Sequence, residues 1–224
     1  MNMKKLKPFI FSIVLLVVFV IYTVLVKYVD VQAIGPNGSS VGFASLNKWV
    51  HNSIGINYEL YKFTDYFSFV AVPIGAIFAV MGVVQLIKRK SLFKVDPNIL
   101  ALGIFYVLTF VSYLIFEVVK LNYRPVLIEG VLEASYPSST TVLSLIIFVS
   151  AIDQIFIYIK DRLLRNTLVV FDVTFSLYLV IGRIISGVHW ISDIIGGVLL
   201  SALLIALYFG FKSLFTKDEK ILSE

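Results

Sequence analysis

"IGRIISGVHWISDIIGG", residues 181–197, is a greasy run that holds three ionisable side chains, Arg183, His189 and Asp193. The chain has only two histidines, and His189 is one of them. Ionisable groups are expensive inside a bilayer, so where a membrane chain keeps them together they mark a site or a partnership. Whether this stretch is buried in a span or sits at a span's end decides how the whole chain is folded.

The surroundings answer first. The chain has 224 residues, of which 59% are hydrophobic and 15% charged, with a mean hydropathy of +0.94. A soluble domain has about half apolar and about a quarter charged residues, so this composition points to an all-α polytopic membrane protein. Six apolar segments, at about 8–27, 66–87, 99–119, 141–159, 168–186 and 191–211, each approach the roughly 20 residues that a helix needs to span a bilayer. No internal repeat, low-complexity tract or boundary divides them, so residues 1–224 read as one membrane-embedded domain.

Charge orients the spans. Lys4, Lys5 and Lys7 precede the first, and Lys88, Arg89, Lys90 and Lys94 follow the second. Lys160, Arg162 and Arg165 lie between the fourth and fifth, and Lys212, Lys217 and Lys220 follow the sixth. Thirteen of the 19 basic residues thus fall on one side, which the positive-inside rule makes cytoplasmic, with both termini inside. The net charge of +5 is accounted for by topology, and nucleic acid is not needed to explain it. "KKLK" before the first apolar run resembles a signal peptide, but that run exceeds the usual 7–15 residues, so it reads as an uncleaved anchor. The absence of cysteine excludes disulfides and thiolate chemistry, and two histidines leave little for zinc.

Three connections then face the extracytoplasmic side. The first, about 28–65, contains the turn-rich "GPNGSS" and then "LNKWVHNSIG", which suits an amphipathic interfacial segment, with Trp49, Tyr58 and Tyr61 at headgroup level. His51 in that segment reads as an exposed or interfacial residue without a partner motif. The second connection is "KLNYRPVLIEGVLEASYPSST" (120–140), and the third is the short "SGVHW" turn (186–190).

The topology brings Arg124, Arg183, His189 and Asp193 to one membrane surface. His189 and Asp193 are spaced i, i+4, so a continuous helix would set them on one face, where the carboxylate fixes the imidazole tautomer and leaves the other nitrogen free to attack. Continuous helix would put Arg183 about 240° away from His189. Gly187 offers a break that swings the two together. An arginine fork suits phosphate oxygens, and a helix start adds amide donors.

These residues resemble the third signature of the type-2 phosphatidic acid phosphatase and vanadium haloperoxidase superfamily, Ser-Arg-x5-His-x3-Asp. Arg183, His189 and Asp193 match it, with Gly182 in the serine position. The first signature, Lys-x6-Arg-Pro, is half kept: "EVVKLNYRP" (117–125) supplies Arg124 and Pro125, with Glu117 in the lysine position and Lys120 three residues on. The second, Pro-Ser-Gly-His, is similar to "PSST" (137–140), where Ser139 replaces glycine and Thr140 replaces histidine.

The resemblance implies a six-span lipid phosphatase in a bacterial plasma membrane, with its site extracytoplasmic. His189 would form a phosphohistidine, and Asp193 would orient it. Arg124, Arg183, the Ser138 hydroxyl and the Ser139 amide would hold the phosphoryl oxygens, with Lys120 as a substitute for the missing lysine. No cofactor or metal is implied, and the partners are a phospholipid or polyprenyl phosphate substrate and the membrane lipids.

Ser138 and Ser139 also suit a helix N-cap, a role compatible with phosphate contact. The family's second-signature histidine protonates the departing oxygen, and here Thr140 stands in its place. That loss favours substrates with a good leaving group, such as undecaprenyl diphosphate, over monoesters. Water and Glu117 remain as proton sources. Two further readings stay open: a catalytically silent relative that binds lipid phosphates, and a small transporter using Asp153 and Asp172. The two aspartates lie in the cytoplasmic halves of the fourth and fifth spans, where helix–helix hydrogen bonding is their plainer role.

Overall fold

The computed structural model describes residues 3–215, so Lys217 and Lys220 of the basic end lie outside the described residues. Eight α-helices carry the architecture: α1 (Met3–Tyr28), α2 (Ala44–Ile54), α3 (Tyr58–Ser68), α4 (Ala71–Arg89), α5 (Pro97–Val118), α6 (Ser139–Tyr158), α7 (Arg162–Ile185) and α8 (Ile191–Phe215). Among the described residues six segments are long and apolar enough to cross a membrane, α3 and α4 together forming one of them.

That joint span corrects the expected start at 66. Pro73 has no N–H to offer the Phe69 carbonyl, so the helix cannot run unbroken through this point. The amides of Phe69, Val70 and Val72 instead make tight three-residue bonds to Tyr66, Phe67 and Phe69. The helical chain therefore reaches back to Tyr58, capped by Asn57, whose side chain accepts from the Leu60 amide. Residues read as loop become α3, and this places Tyr61 and Asp65 in the helical bundle. α7 likewise begins at Arg162, earlier than expected, because Asp161 caps it through the Leu164 amide at 2.7 Å.

α8 is the bundle's centre and packs on α1, α5, α6 and α7. Its small residues make this possible. A Cβ on Gly196 would stand 2.4 Å from the Tyr136 ring, and one on Gly197 would stand 3.1 Å from Thr141 Cβ. Around it Phe105, Leu102, Ile146, Leu204 and Tyr208 form the buried apolar core.

α1 and α8 run antiparallel. Phe9 meets Phe211 ring to edge at 5.7 Å near one end, and the Tyr22 hydroxyl donates to the Ser192 carbonyl at 3.1 Å near the other. The first end also holds a polar cluster. Lys212 Nζ lies 2.6 and 2.7 Å from the two Asp153 oxygens, and the Tyr208 hydroxyl donates to Asp153 at 2.5 Å. Gln154 links Tyr208 to Asn98. Asp153 thus bonds between helices, as expected. Asp172 differs: its Oδ2 is buried with no hydrogen-bond partner.

Candidate active site

The other end of the bundle gathers the signature residues. The turn 186–190 is set by Gly187, whose φ of 66° lies in the left-handed region. A Cβ there would sit 1.9 Å from the Gly55 carbonyl oxygen, so only glycine lets this turn press on the α2–α3 connection. The Asn57 amide secures the approach by donating to the Ser186 carbonyl at 2.9 Å.

His189 lies within this turn and not on α8, which starts at Ile191. The expected single helix face for His189 and Asp193 is therefore corrected. Their closest approach, Nδ1 to Oδ2, is 3.8 Å, too long for a hydrogen bond. Asp193 caps the turn instead, accepting from the Trp190 amide at 3.0 Å and from Asn122 Nδ2 at 3.1 Å. Both Asp193 and Asn122 are fully buried.

Arg124 comes from a small hairpin-like loop in which Tyr123 bridges Ala134 and Ile128 bridges Val131. Its amide donates to the Glu133 carbonyl at 3.0 Å, and the Glu133 carboxylate lies 2.9 Å from its Nε. Its Nη1 stands 3.2 Å from His189 Nε2. A guanidinium can only donate, so Nε2 carries the lone pair and the ring proton belongs on Nδ1. The His189 pKa is held well below 6.5, first by burial and then by the charges of Arg124 and Arg183, with the Ser135 backbone working the other way. The imidazole is neutral at pH 7, the form that can act as a nucleophile.

Arg183, near the end of α7, is completely buried. Its Nη2 donates to Thr140 Oγ1 at 2.8 Å and to Asp65 on α3. Tyr61, one turn before Asp65, lays its ring beside both guanidiniums, 4.8 Å from Arg183 Cζ and 5.7 Å from Arg124 Cζ. Tyr61 thus packs against both arginines of the site. The glycine in the family's serine position has a packing reason. A Cβ on Gly182 would meet Thr64 Cγ2 at 2.5 Å, so α3 occupies the space a side chain would need.

A cavity of about 510 Å³ opens beside His189 and runs between α4, α5 and α6. Asp65, Ser135, Ser139, Thr140 and His189 line it together with apolar Phe69, Val72, Phe110, Leu143 and Ile146. The first turn of α6 faces it, so the helix presents amides at Ser139 and Thr140. Ser138 does not line the cavity: it is buried, its Oγ caps α6 by accepting from Thr141, and its amide donates to the Asp193 carbonyl. Glu117 is exposed and lines the cavity, and Lys120 is exposed and outside its lining. His51 is not a bare interfacial residue, because it is half-buried with its ring 5.3 Å from that of Trp190.

No family model matches the sequence, and no curated protein matches it. Among solved structures, the crystal structure of a transmembrane PAP2-type phosphatidylglycerolphosphate phosphatase from Bacillus subtilis is similar, with a TM-score of 0.61. The match covers 93% of this chain and 98% of that one at 16% identity. The chain has a PAP2-type transmembrane phosphatase fold.

Sequence reasoning missed four members of the site: Asp65, Tyr61, Asn122 and Asn47. Asn47 on α2 donates to Ser192 Oγ at 2.9 Å and accepts from the Ser192 amide, tying the first connection to the start of α8. The signal available for Asp65 was its position one turn after Tyr61 in a stretch that Asn57 can cap.

Proposed function

We propose that the chain is a membrane lipid phosphatase of the PAP2 superfamily, acting through a phosphohistidine on His189 at the extracytoplasmic face. One observation carries this reading: the lone pair of a buried neutral imidazole meets an arginine that a phosphate would need. A phosphoryl group entering between them is gripped by Arg124 on the side where Nε2 attacks. Nε2 forms the bond to phosphorus as the bond to the leaving oxygen breaks. Arg183 and the α6 amides take up charge on the remaining oxygens. These guanidiniums supply the charge that a metal ion supplies elsewhere, so turnover is proposed to be metal-independent. The apolar lining of the cavity receives the lipid chain, and the basic connections at the opposite end favour a cytoplasmic location for that end.

Thr140 Oγ1 accepts from Arg183, and its hydroxyl is too weak an acid to protonate a departing alkoxide. General acid catalysis contributes about 10²–10⁴-fold, and a substrate whose leaving group is itself a phosphate needs it least. Lipid diphosphates such as undecaprenyl diphosphate are thus the favoured substrates. A second reading, a silent binder of lipid phosphates, draws on the pairing of both arginines with acids, Glu133 and Asp65. Phosphate release from a panel of lipid mono- and diphosphates in EDTA tests the proposal. Release that is faster from diphosphates is expected, and lipid binding without release would leave the silent binder.

A further inference from the structure

We propose that Asp65 is the general base of the second half-reaction, taking a proton from the water that hydrolyses the phosphohistidine. This rests on the function proposed above. Once His189 carries the phosphoryl group, a water must attack phosphorus from the cavity side, opposite Nε2, and give up a proton as it does so.

Few groups qualify. Asp193 is fully buried behind His189, and its oxygens are taken by Asn122 and the Trp190 amide. Glu133 pairs with Arg124 but does not line the cavity, and Glu117 lines it beside Tyr113, with which it interacts, and not beside Arg183. Asp65 lines the same cavity as His189, and its side chain is 44% exposed, so water reaches it. Arg183 holds it through Oδ1, which leaves Oδ2 for the water. A carboxylate within reach of an attacking water can take up its proton.

The placement is built into the packing. Arg183 Nη2 donates both to Asp65 and to Thr140, so the carboxylate stands next to the residue at the start of α6 that cannot itself accept a proton at neutral pH. Gly182, which a Cβ would drive into Thr64, lets α3 close on α7 and sets the next α3 residue, Asp65, against the next α7 residue, Arg183.

The step balances. The water oxygen bonds to phosphorus, the phosphorus–Nε2 bond breaks, and its electron pair returns to the ring. The water proton passes to Asp65, which releases it to solvent at its exposed edge, and hydrogen phosphate leaves. A base is required here, whereas the first half-reaction on a diphosphate has the least need of an acid.

The test uses a lipid diphosphate radiolabelled in its terminal phosphate, with wild type, Asp65→Asn, Asp65→Glu and His189→Ala quenched in alkaline detergent. Asp65→Asn is expected to release one burst of lipid monophosphate and retain label on the protein, with steady-state turnover lower by about 10²-fold. Asp65→Glu should restore part of that turnover, and the burst itself reports a folded protein. Turnover of Asp65→Asn equal to or above wild type overturns the proposal, as does loss of the burst without retained label. Wild type that neither takes label nor releases phosphate in a His189-dependent way sinks the underlying function, and this inference with it.

Discussion

Nη1 of Arg124 lies 3.2 Å from Nε2 of His189, and the contact both assigns the ring's lone pair and marks where a phosphoryl group would enter. Replacing Arg124 removes a fork of donors aimed at the charge that develops on that group. Arg124→Ala is expected to lower kcat/KM by about 10²–10³-fold. Arg124→Lys should recover little, since a point charge cannot reproduce the fork. Full activity in the lysine variant would show that only charge is needed.

The environment of His189 sets the pH dependence. Its folded pKa lies well below 6.5, through burial and the charges of Arg124 and Arg183. The neutral nucleophile therefore persists as pH falls through 6.5, and kcat/KM should turn down only at lower pH. Stability follows the same sign: the unfolded histidine takes up a proton that the folded one refuses, so stability is lost as pH falls from 6.5 toward the folded pKa. An acidic limb centred at or above 6.5 in the rate profile would contradict this.

Thr140 is the position at which chemistry and sequence diverge most. Its hydroxyl accepts from Arg183 at 2.8 Å, and the residue lines the cavity beside His189. Thr140→His places a titratable acid there, and turnover of lipid monoesters should rise relative to diphosphates by at least about tenfold. The comparison needs both substrates at saturation, and an unchanged ratio would show that leaving-group protonation does not limit monoesters.

Gly182 carries a structural prediction. Gly182→Ser returns the family's residue but sets a Cβ 2.5 Å from Thr64 Cγ2, so α3 must move off α7. A cost of about 1–3 kcal/mol is expected for such overpacking. It should appear as a lower thermal unfolding midpoint in detergent, with reduced turnover as Asp65 leaves Arg183. A variant as stable as wild type would mean that the helices yield without strain.

Much of this was legible in the sequence. Apolar length gives six helical spans because it depends on local composition alone. Arg124, Arg183 and His189 were legible because their types and spacing match a motif, and Gly187 because the turn needs a residue free to adopt positive φ. What escaped is what three-dimensional packing decides. Asp65 and Tyr61 looked like loop residues, since the break imposed by Pro73 hides the fact that α3 and α4 share one span. Asn122 and Asn47 belong to no motif, and only the folded chain shows them as buried supports of Asp193 and Ser192. The i, i+4 spacing of His189 and Asp193 suggested a helix face, yet α8 begins after His189, and the carboxylate caps the turn instead.

The central claim is that His189 is the nucleophile. Phosphate release from a lipid diphosphate in EDTA, wild type beside His189→Ala at matched amounts of folded protein, tests it most directly. The account predicts steady release by wild type and none above background from His189→Ala. Equal rates from the two proteins would contradict it.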